Sequence, residues 1–293
     1  MRSGRVEDLP QIVELWRHEV EVGRQDAAPR AERTRTRLAL FDWETRSRVI
    51  ENDGVVDGSA LVMARPGPEG ILADIYAAGR GEAYFEAVKW AVGFATAAGA
   101  SIVHIMVGKD HGAGLEQFGL RAVRPWWRMD RSLDGALPEL PAVPGYELAD
   151  FSAVAAGTWV ETFNRSFADH WRFVPRGEAE IIGGKRSELC LLAVTAPGRK
   201  PAAITLGEVE EFLADMRPQP VGLVGSVGTV PEHRRRGLAG WLVATSLHRL
   251  RDAGARHASL YVDGLNPTRA YDVYRNLGFE VVSEAEVWEA TSP

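Results

Sequence analysis

Apolar positions along the chain follow two alternating spacings. Gly222 to Val230 is an apolar run spaced by small residues and closed by Pro231, which predicts a buried strand. Just beyond it, Trp241, Leu242, Thr245, Leu247 and Leu250 recur at helical intervals among polar neighbours. Ser259 to Asp263 reads as a second apolar strand. Asn266-Pro267 then predicts a helix start, an N-cap followed by proline at the first helical position, and Gly278 predicts a left-handed stop. Earlier in the chain, Ile12, Val13, Leu15, Trp16 and Val20 mark one helix, and Trp159, Val160 and Phe163 mark another. Val49-Ile50 and the run Val55 to Met63 flank Asp53-Gly54 as a hairpin; Leu189 to Thr195 and Ala202 to Leu206 flank Pro197-Gly198 in the same way. Together these elements predict an α/β fold with a mixed sheet, antiparallel at its start and with a parallel crossover.

The pattern occurs twice. Ala98-Gly99-Ala100, a strand to Val107 and a segment closing on Leu115-Glu116-Gln117-Phe118-Gly119-Leu120 run parallel to Ala253-Gly254-Ala255, a strand to Val262 and Tyr274 to Phe279, the first copy being shorter. Leu137 to Gly145 carries Pro138, Pro141 and Pro144, which disfavour both helix and central strand. The expected organisation is a first domain over residues 1–134, a proline-rich linker over 135–144 and a second domain over 145–293, which suits a chain of 293 residues.

The basic residues are concentrated where the strand at 222–230 hands over to its helix. Arg234-Arg235-Arg236-Gly237-Leu238-Ala239 sets a glycine turn against a helix start, where unpaired backbone N–H groups and the positive end of the helix dipole favour an anion. A glycine there lets a pyrophosphate reach the backbone, and the arginines add fixed charge and forked donors. There is no Gly-x-x-x-x-Gly-Lys-Ser/Thr, and Gly237 lacks the companions of a dinucleotide fingerprint, so neither alternative phosphate loop fits.

Composition narrows the ligand and the setting. A net charge of −6 points away from a nucleic-acid partner, and the arginine cluster reads as a small-anion site. No apolar run reaches membrane-spanning length and the first residues lack a signal-peptide core, so a soluble cytoplasmic protein is expected, with no membrane partner. The single cysteine, Cys190, sits among leucines as a core thiol, and the histidines show no ligand spacing, so no metal is expected. Arginine far outnumbers lysine, which stands only at 89, 109, 185 and 200, and alanine and glycine are abundant, as in proteins of GC-rich bacteria.

The Arg-x-x-Gly-x-Ala spacing at 234–239, followed by Asn266 and then by Tyr-x-x-Leu-Gly-Phe at 274–279, resembles the GNAT family of N-acetyltransferases. The doubled pattern resembles its mycothiol synthase-like tandem members, two acyl-CoA N-acyltransferase domains with an eroded first copy. Phe163 to Trp171, with Phe173 and Pro175 after it, looks like the first-helix segment of that group.

The resemblance implies acetyl-CoA as co-substrate and a small-molecule primary amine as acceptor. It places the thioester and pantetheine against the backbone of Val227, Gly228, Thr229 and Val230, the pyrophosphate on Arg234, Arg235, Arg236, Gly237, Leu238 and Ala239, and the CoA arm on Asn266. Tyr274 would protonate the departing thiolate. One departure stands out. The mycothiol synthase-like resemblance implies a carboxylate base on the fourth strand of the catalytic unit, whereas Gly222 to Val230 has none, with Leu223 near that position. Asp169, His170, Trp171, Glu208 and Glu210 are the candidates for a displaced base or the acceptor site. A silent acyl-CoA-binding or partner-binding module and a protein N-acetyltransferase are the alternative readings. In the first copy Ala77 to Ala83 holds one arginine, Leu115 stands for Tyr274 and His111 for Asn266, as expected of a scaffold.

Overall fold

The computed structural model describes residues 1–28, 34–35, 38–149, 151–210 and 220–291. In chain order the strands are β1 (Arg2–Ser3), β2 (Ser47–Asn52), β3 (Val55–Gly67), β4 (Gly70–Gly79), β5 (Ala100–Gly108), β6 (Arg121–Ser132), β7 (Tyr146–Ala149), β8 (Cys190–Thr195), β9 (Pro201–Glu210), β10 (Val221–Thr229), β11 (His257–Asp263) and β12 (Glu280–Thr291). The principal helices are α1 (Leu9–Glu21), α2 (Glu82–Ala97), α3 (Ala156–Phe167), α4 (Leu238–Asp252) and α5 (Ala270–Asn276). Among the described residues no helix is long and apolar enough to cross a membrane.

The chain parts into two compact units that interleave in sequence. Among the described residues one comprises 1–127 with 283–291, the other 128–210 with 220–282. Residues 283–291 of the last strand thus belong with the first unit, and the segment expected as a linker lies inside the second.

In the first unit the strands follow the order β1-β2-β3-β4-β5-β12, antiparallel except for the parallel pair β4/β5. Asp53 and Gly54 both take positive φ, 49° and 81°, the turn that suits a two-residue hairpin between β2 and β3. Helix α1 buries Leu9, Ile12, Val13 and Trp16 against Val49, Leu61 and Ala78 on one face of the sheet. Helix α2 buries Tyr84, Ala87, Val88, Ala91 and Ala95 against Ala73, Ile75, Val103 and Ile105 on the other.

The second unit repeats this plan. Its order is β11-β10-β9-β8-β7, with residues 128–132 of β6 beside β11, β10/β11 as the parallel pair and β7, β8, β9 and β10 antiparallel. Trp159 and Phe163 of α3 pack on Leu192, Val194, Ile204 and Leu206. Leu238, Trp241 and Leu242 of α4 pack on Leu191, Ala193, Ala202 and Ala203 on the opposite face.

Candidate active site

Strand β10 is irregular at its C-terminal half. Against β9 its register runs evenly from Val221↔Glu210 to Gly225↔Leu206, then resumes at Gly228↔Ile204, so β10 carries one extra residue there. Ser226, at that bulge, takes φ 53°, an uncommon conformation for a residue with a Cβ. On the other edge, the pairing of β10 with β11 runs Val221↔His257, Gly222↔Ala258, Leu223↔Ser259 and then ends. Beyond Leu223 the two parallel strands diverge.

The open edge is polar backbone. Val230 donates its N–H to Ala202 O at 2.9 Å, which withdraws it from any ligand. Alternation along an antiparallel pair then turns the N–H and C=O of Thr229 away from β9, toward the gap. The Thr229 carbonyl there accepts from Arg234 Nε at 3.1 Å. Gly228 is a glycine for packing reasons, since a Cβ would lie 2.7 Å from Ser166 Cβ and 2.8 Å from a ring carbon of Phe167.

The turn between β10 and α4 supplies donors in a row. Gly237 takes φ 87° as the N-cap, and the first bond within α4 runs from Trp241 N–H to Gly237 O. The N–H groups of Leu238, Ala239 and Gly240 accordingly have no acceptor among the described residues. A left-handed Gly237 ahead of helical Leu238 turns these groups toward one concavity, where the helix dipole adds to their attraction for an anion. The turn is braced by Tyr146 Oη against His233 Nδ1 at 2.9 Å, a contact that nothing local in the sequence signals.

The three arginines do different things. Arg234 is folded inward: its guanidinium holds Asp169 bidentately at 2.6 and 2.8 Å and donates to Ser166 O at 3.1 Å. It therefore ties the end of α3 to the turn, and its donors are spoken for. The same contact, chiefly the hydrogen bond from Arg234, holds the Asp169 carboxyl below its ordinary range, which makes Asp169 a poor proton acceptor. Both residues were expected in the site, and geometry gives them a positioning task. Arg235, at φ 64°, and Arg236, which donates to Glu232 O at 3.3 Å, are exposed beside the N–H row.

Asn266 stands 8% exposed, but it does not cap the helix. Its Oδ1 accepts from Thr268 N and Oγ1 at 2.9 and 2.7 Å, and its carbonyl takes Arg269 N–H, closing a turn over 266–269. Helix α5 begins four residues later at Ala270, after Arg269 at φ 55°. The short-range bonds of an asparagine compete with helix initiation, and here the turn wins.

Tyr274 follows in α5, its ring buried and edge-on to Phe279 with centroids 6.2 Å apart. Its hydroxyl makes no hydrogen bond among the described residues, and burial pushes its pKa well above the ordinary tyrosine range. It is a protonated donor at any physiological pH. Helices α4 and α5 approach closely, since a Cβ at Gly240 would lie 3.9 Å from Val273 Cγ1.

Of the remaining candidates, His170 lies just past α3 with its ring edge-on to Phe167 at 4.8 Å, and the Arg172 guanidinium lies 5.7 Å from the centre of the Trp171 ring. Glu208 is half-buried on β9, 3.6 Å from Lys185 Nζ. Glu210 ends β9; its side chain and residues 211–219 lie outside the described residues. No group of His, Cys, Asp or Glu among the described residues is placed to hold a metal ion.

A family model described as FR47-like protein matches residues 203–289, the span that contains the bulged strand, the N–H row and Tyr274. A protein named mycothiol acetyltransferase from Thermomonospora curvata is 28% identical over 278 residues, 87% of this chain and 86% of its own. One of the same name from Kytococcus sedentarius is 33% identical over 174 residues, and the chain spans about half of it, 55%. A GCN5-related N-acetyltransferase from Sphaerobacter thermophilus superposes with TM-score 0.81 at 22% identity, over 99% of this chain and 94% of that one. A tandem GNAT protein from the clavulanic acid biosynthesis pathway superposes with TM-score 0.72 at 16% identity, over 100% and 98% of the two chains. The fold is that of GNAT N-acetyltransferases, and in sequence the chain is similar to the mycothiol acetyltransferases.

The first unit shows the same divergence and a different use of it. The β4/β5 pairing ends at Asp74↔His104. Where the second unit leaves N–H groups open, Gly79 N–H donates to Glu19 Oε1 at 2.9 Å and Gly79 O accepts from Arg24 Nη2 at 2.9 Å. Glu19 is fully buried and paired with Arg24, whose guanidinium lies 4.3 Å over the ring of Tyr84. At the start of α2, Ala83 N–H and Tyr84 N–H are consumed by Arg80 O and Gly81 O. The protein's own ion pair and a tightened turn occupy this end of the strand.

Proposed function

We propose that the second unit transfers an acetyl group from acetyl-CoA to the primary amine of a small metabolite, by direct attack within a ternary complex. What carries this reading is the conjunction, in one unit, of a diverging β10/β11 pair, a row of unpaired N–H groups at 238–240 and a buried, protonated Tyr274 in the helix beside them. The N–H row and the exposed Arg235 and Arg236 hold the pyrophosphate. The Thr229 edge orients the thioester carbonyl and stabilises the oxyanion as it forms. Holding both reactants in one cleft supplies much of the rate. Tyr274 gives its proton to the leaving sulfur.

A small acceptor is supported by the relatives' name, mycothiol acetyltransferase. The first unit serves as a scaffold. The test is release of CoA thiol from acetyl-CoA with and without a panel of small primary amines and, separately, lysine peptides. Amine-dependent release with small amines supports the reading; release that depends on peptides alone, or on no acceptor, contradicts it.

A further inference from the structure

The second unit lacks a carboxylate on its bulged strand, yet direct attack needs the acceptor nitrogen to shed protons. The register supplies one from the neighbouring strand. Leu223, the last residue of β10 paired to β11, lies directly opposite Glu208 of β9. Directly opposed residues share a face of the sheet, with Cβ atoms about 4.5–5.5 Å apart. That face is fixed by the residues next along the strands. Leu206 and Ile204 pack under α3, and Gly228 meets Ser166 and Phe167 of α3. Glu208 therefore stands beside the point where the strands part, on the α3 face, opposite the face where α4 starts with its N–H row.

The first unit makes the exchange visible. There the residue at the last β4/β5 pair is Asp74, and its β3 partner is Met63. In the second unit the corresponding pair is Leu223 and Glu208. One carboxylate and one apolar side chain occupy the same two positions with the strands interchanged.

A second observation concerns occupancy. Lys185 Nζ lies 3.6 Å from Glu208 Oε2, with only 17% of the lysine side chain exposed. A primary ammonium already sits on this carboxylate from within the chain. Resting on the acetyltransferase reading above, we infer that Glu208 is the general base of this site, displaced from the bulged strand to β9, and that Lys185 marks the place an acceptor ammonium takes.

The acceptor enters as R–NH3⁺ and passes one proton to Glu208 as its nitrogen bonds to the thioester carbon. The C–S bond breaks, and the thiolate takes the Tyr274 proton. The second nitrogen proton restores Tyr274, and Glu208 returns its own to solvent. The products are the acetamide, CoA–SH and one H⁺.

Among the described residues, Lys185 and, from β8, the Cys190 thiol face Glu208; burial pushes the pKa of that thiol up to about 11.

The experiment compares wild type with Glu208→Gln and Glu208→Asp in the full chain, with acetyl-CoA and a panel of small primary amines, alongside calorimetric titration of acetyl-CoA and of each amine in the presence of CoA. Expected for Glu208→Gln are an unchanged acetyl-CoA affinity, which also shows that the protein is folded, and a kcat/KM for the best amine lowered about 10²-fold to 10⁴-fold. The loss should shrink as pH approaches the amine's own pKa, and Glu208→Asp should recover part of it. Turnover and pH profile equal to wild type overturn the assignment. A wild type that binds acetyl-CoA but neither binds nor acetylates any amine overturns it while sparing the CoA site. No acetyl-CoA binding at all overturns the acetyltransferase reading itself.

Discussion

Replacing Tyr274 by Phe removes one hydroxyl from a site whose other features stay in place. The ring is buried and packs edge-on to Phe279, and both survive the change. Because the hydroxyl has no hydrogen-bond partner among the described residues, its loss should alter stability by no more than about 1 kcal/mol. As the proton donor to the thiolate it is worth about 10² to 10⁴ in rate, or ~2.7–5.4 kcal/mol of barrier. Stability near pH 7 and acetyl-CoA affinity should thus be kept while kcat collapses, read as CoA thiol release with the best amine of the panel. The alkaline limb of stability gives an independent check. Above pH ~10 the unfolded chain ionises this tyrosine while the folded chain keeps it neutral, so folding loses about 1.36 kcal/mol per pH unit per such group. Wild type should therefore lose stability faster than Tyr274→Phe as pH rises through that range. A variant that keeps full kcat would refute the role; one that keeps the full alkaline slope would refute the burial argument behind it.

Three further outcomes follow from named contacts. Asp169→Asn should reduce stability by about 1 kcal/mol or less, because the pair with Arg234 is half open to solvent. The Asp169 pKa is lowered, so its contribution is fully present above its unfolded pKa of ~3.9 and lost as pH falls through the lower folded value; the difference between variant and wild type should be smaller in melts at pH 3 than at pH 7. Gly228→Val should cost about 1–3 kcal/mol in urea unfolding, since its Cβ would overlap Ser166 and Phe167. Glu19→Ala should cost about 3–5 kcal/mol by leaving Arg24 and Gly79 N–H without their buried acceptor, without changing acetyl-CoA affinity in the second unit.

What could be read before any coordinates was mostly local. A glycine before a helix implies a left-handed turn wherever it occurs, so Gly237 was legible from its neighbours, as was the Asp53-Gly54 hairpin. The doubling of the fold was legible because both copies keep the strand and stop residues that packing demands. The misreadings are contests between interactions at different range. Asn266 looked like a helix cap, but its bonds to Thr268 close a turn first. Arg234 looked like a ligand hand, but its partner Asp169 lies 65 residues away and claims it. The use of residues 283–291 in the first unit and the opposition of Glu208 to Leu223 are register facts, set by which strand finds which, and no spacing in the chain encodes them.

Calorimetric titration with acetyl-CoA tests the central claim most directly, using wild type, Gly237→Asp, Gly237→Asn and Arg80→Ala. Any L-residue at Gly237 bears the strain of φ 87°, on the order of 1–2 kcal/mol, so the asparagine controls for strain and the aspartate adds charge against the N–H row. One site per chain is predicted, unchanged by Arg80→Ala, weakened by Gly237→Asn and abolished by Gly237→Asp in a protein that still melts cooperatively. Binding that survives Gly237→Asp, or that fails with Arg80→Ala, would contradict the assignment of the acetyl-CoA site to the second unit.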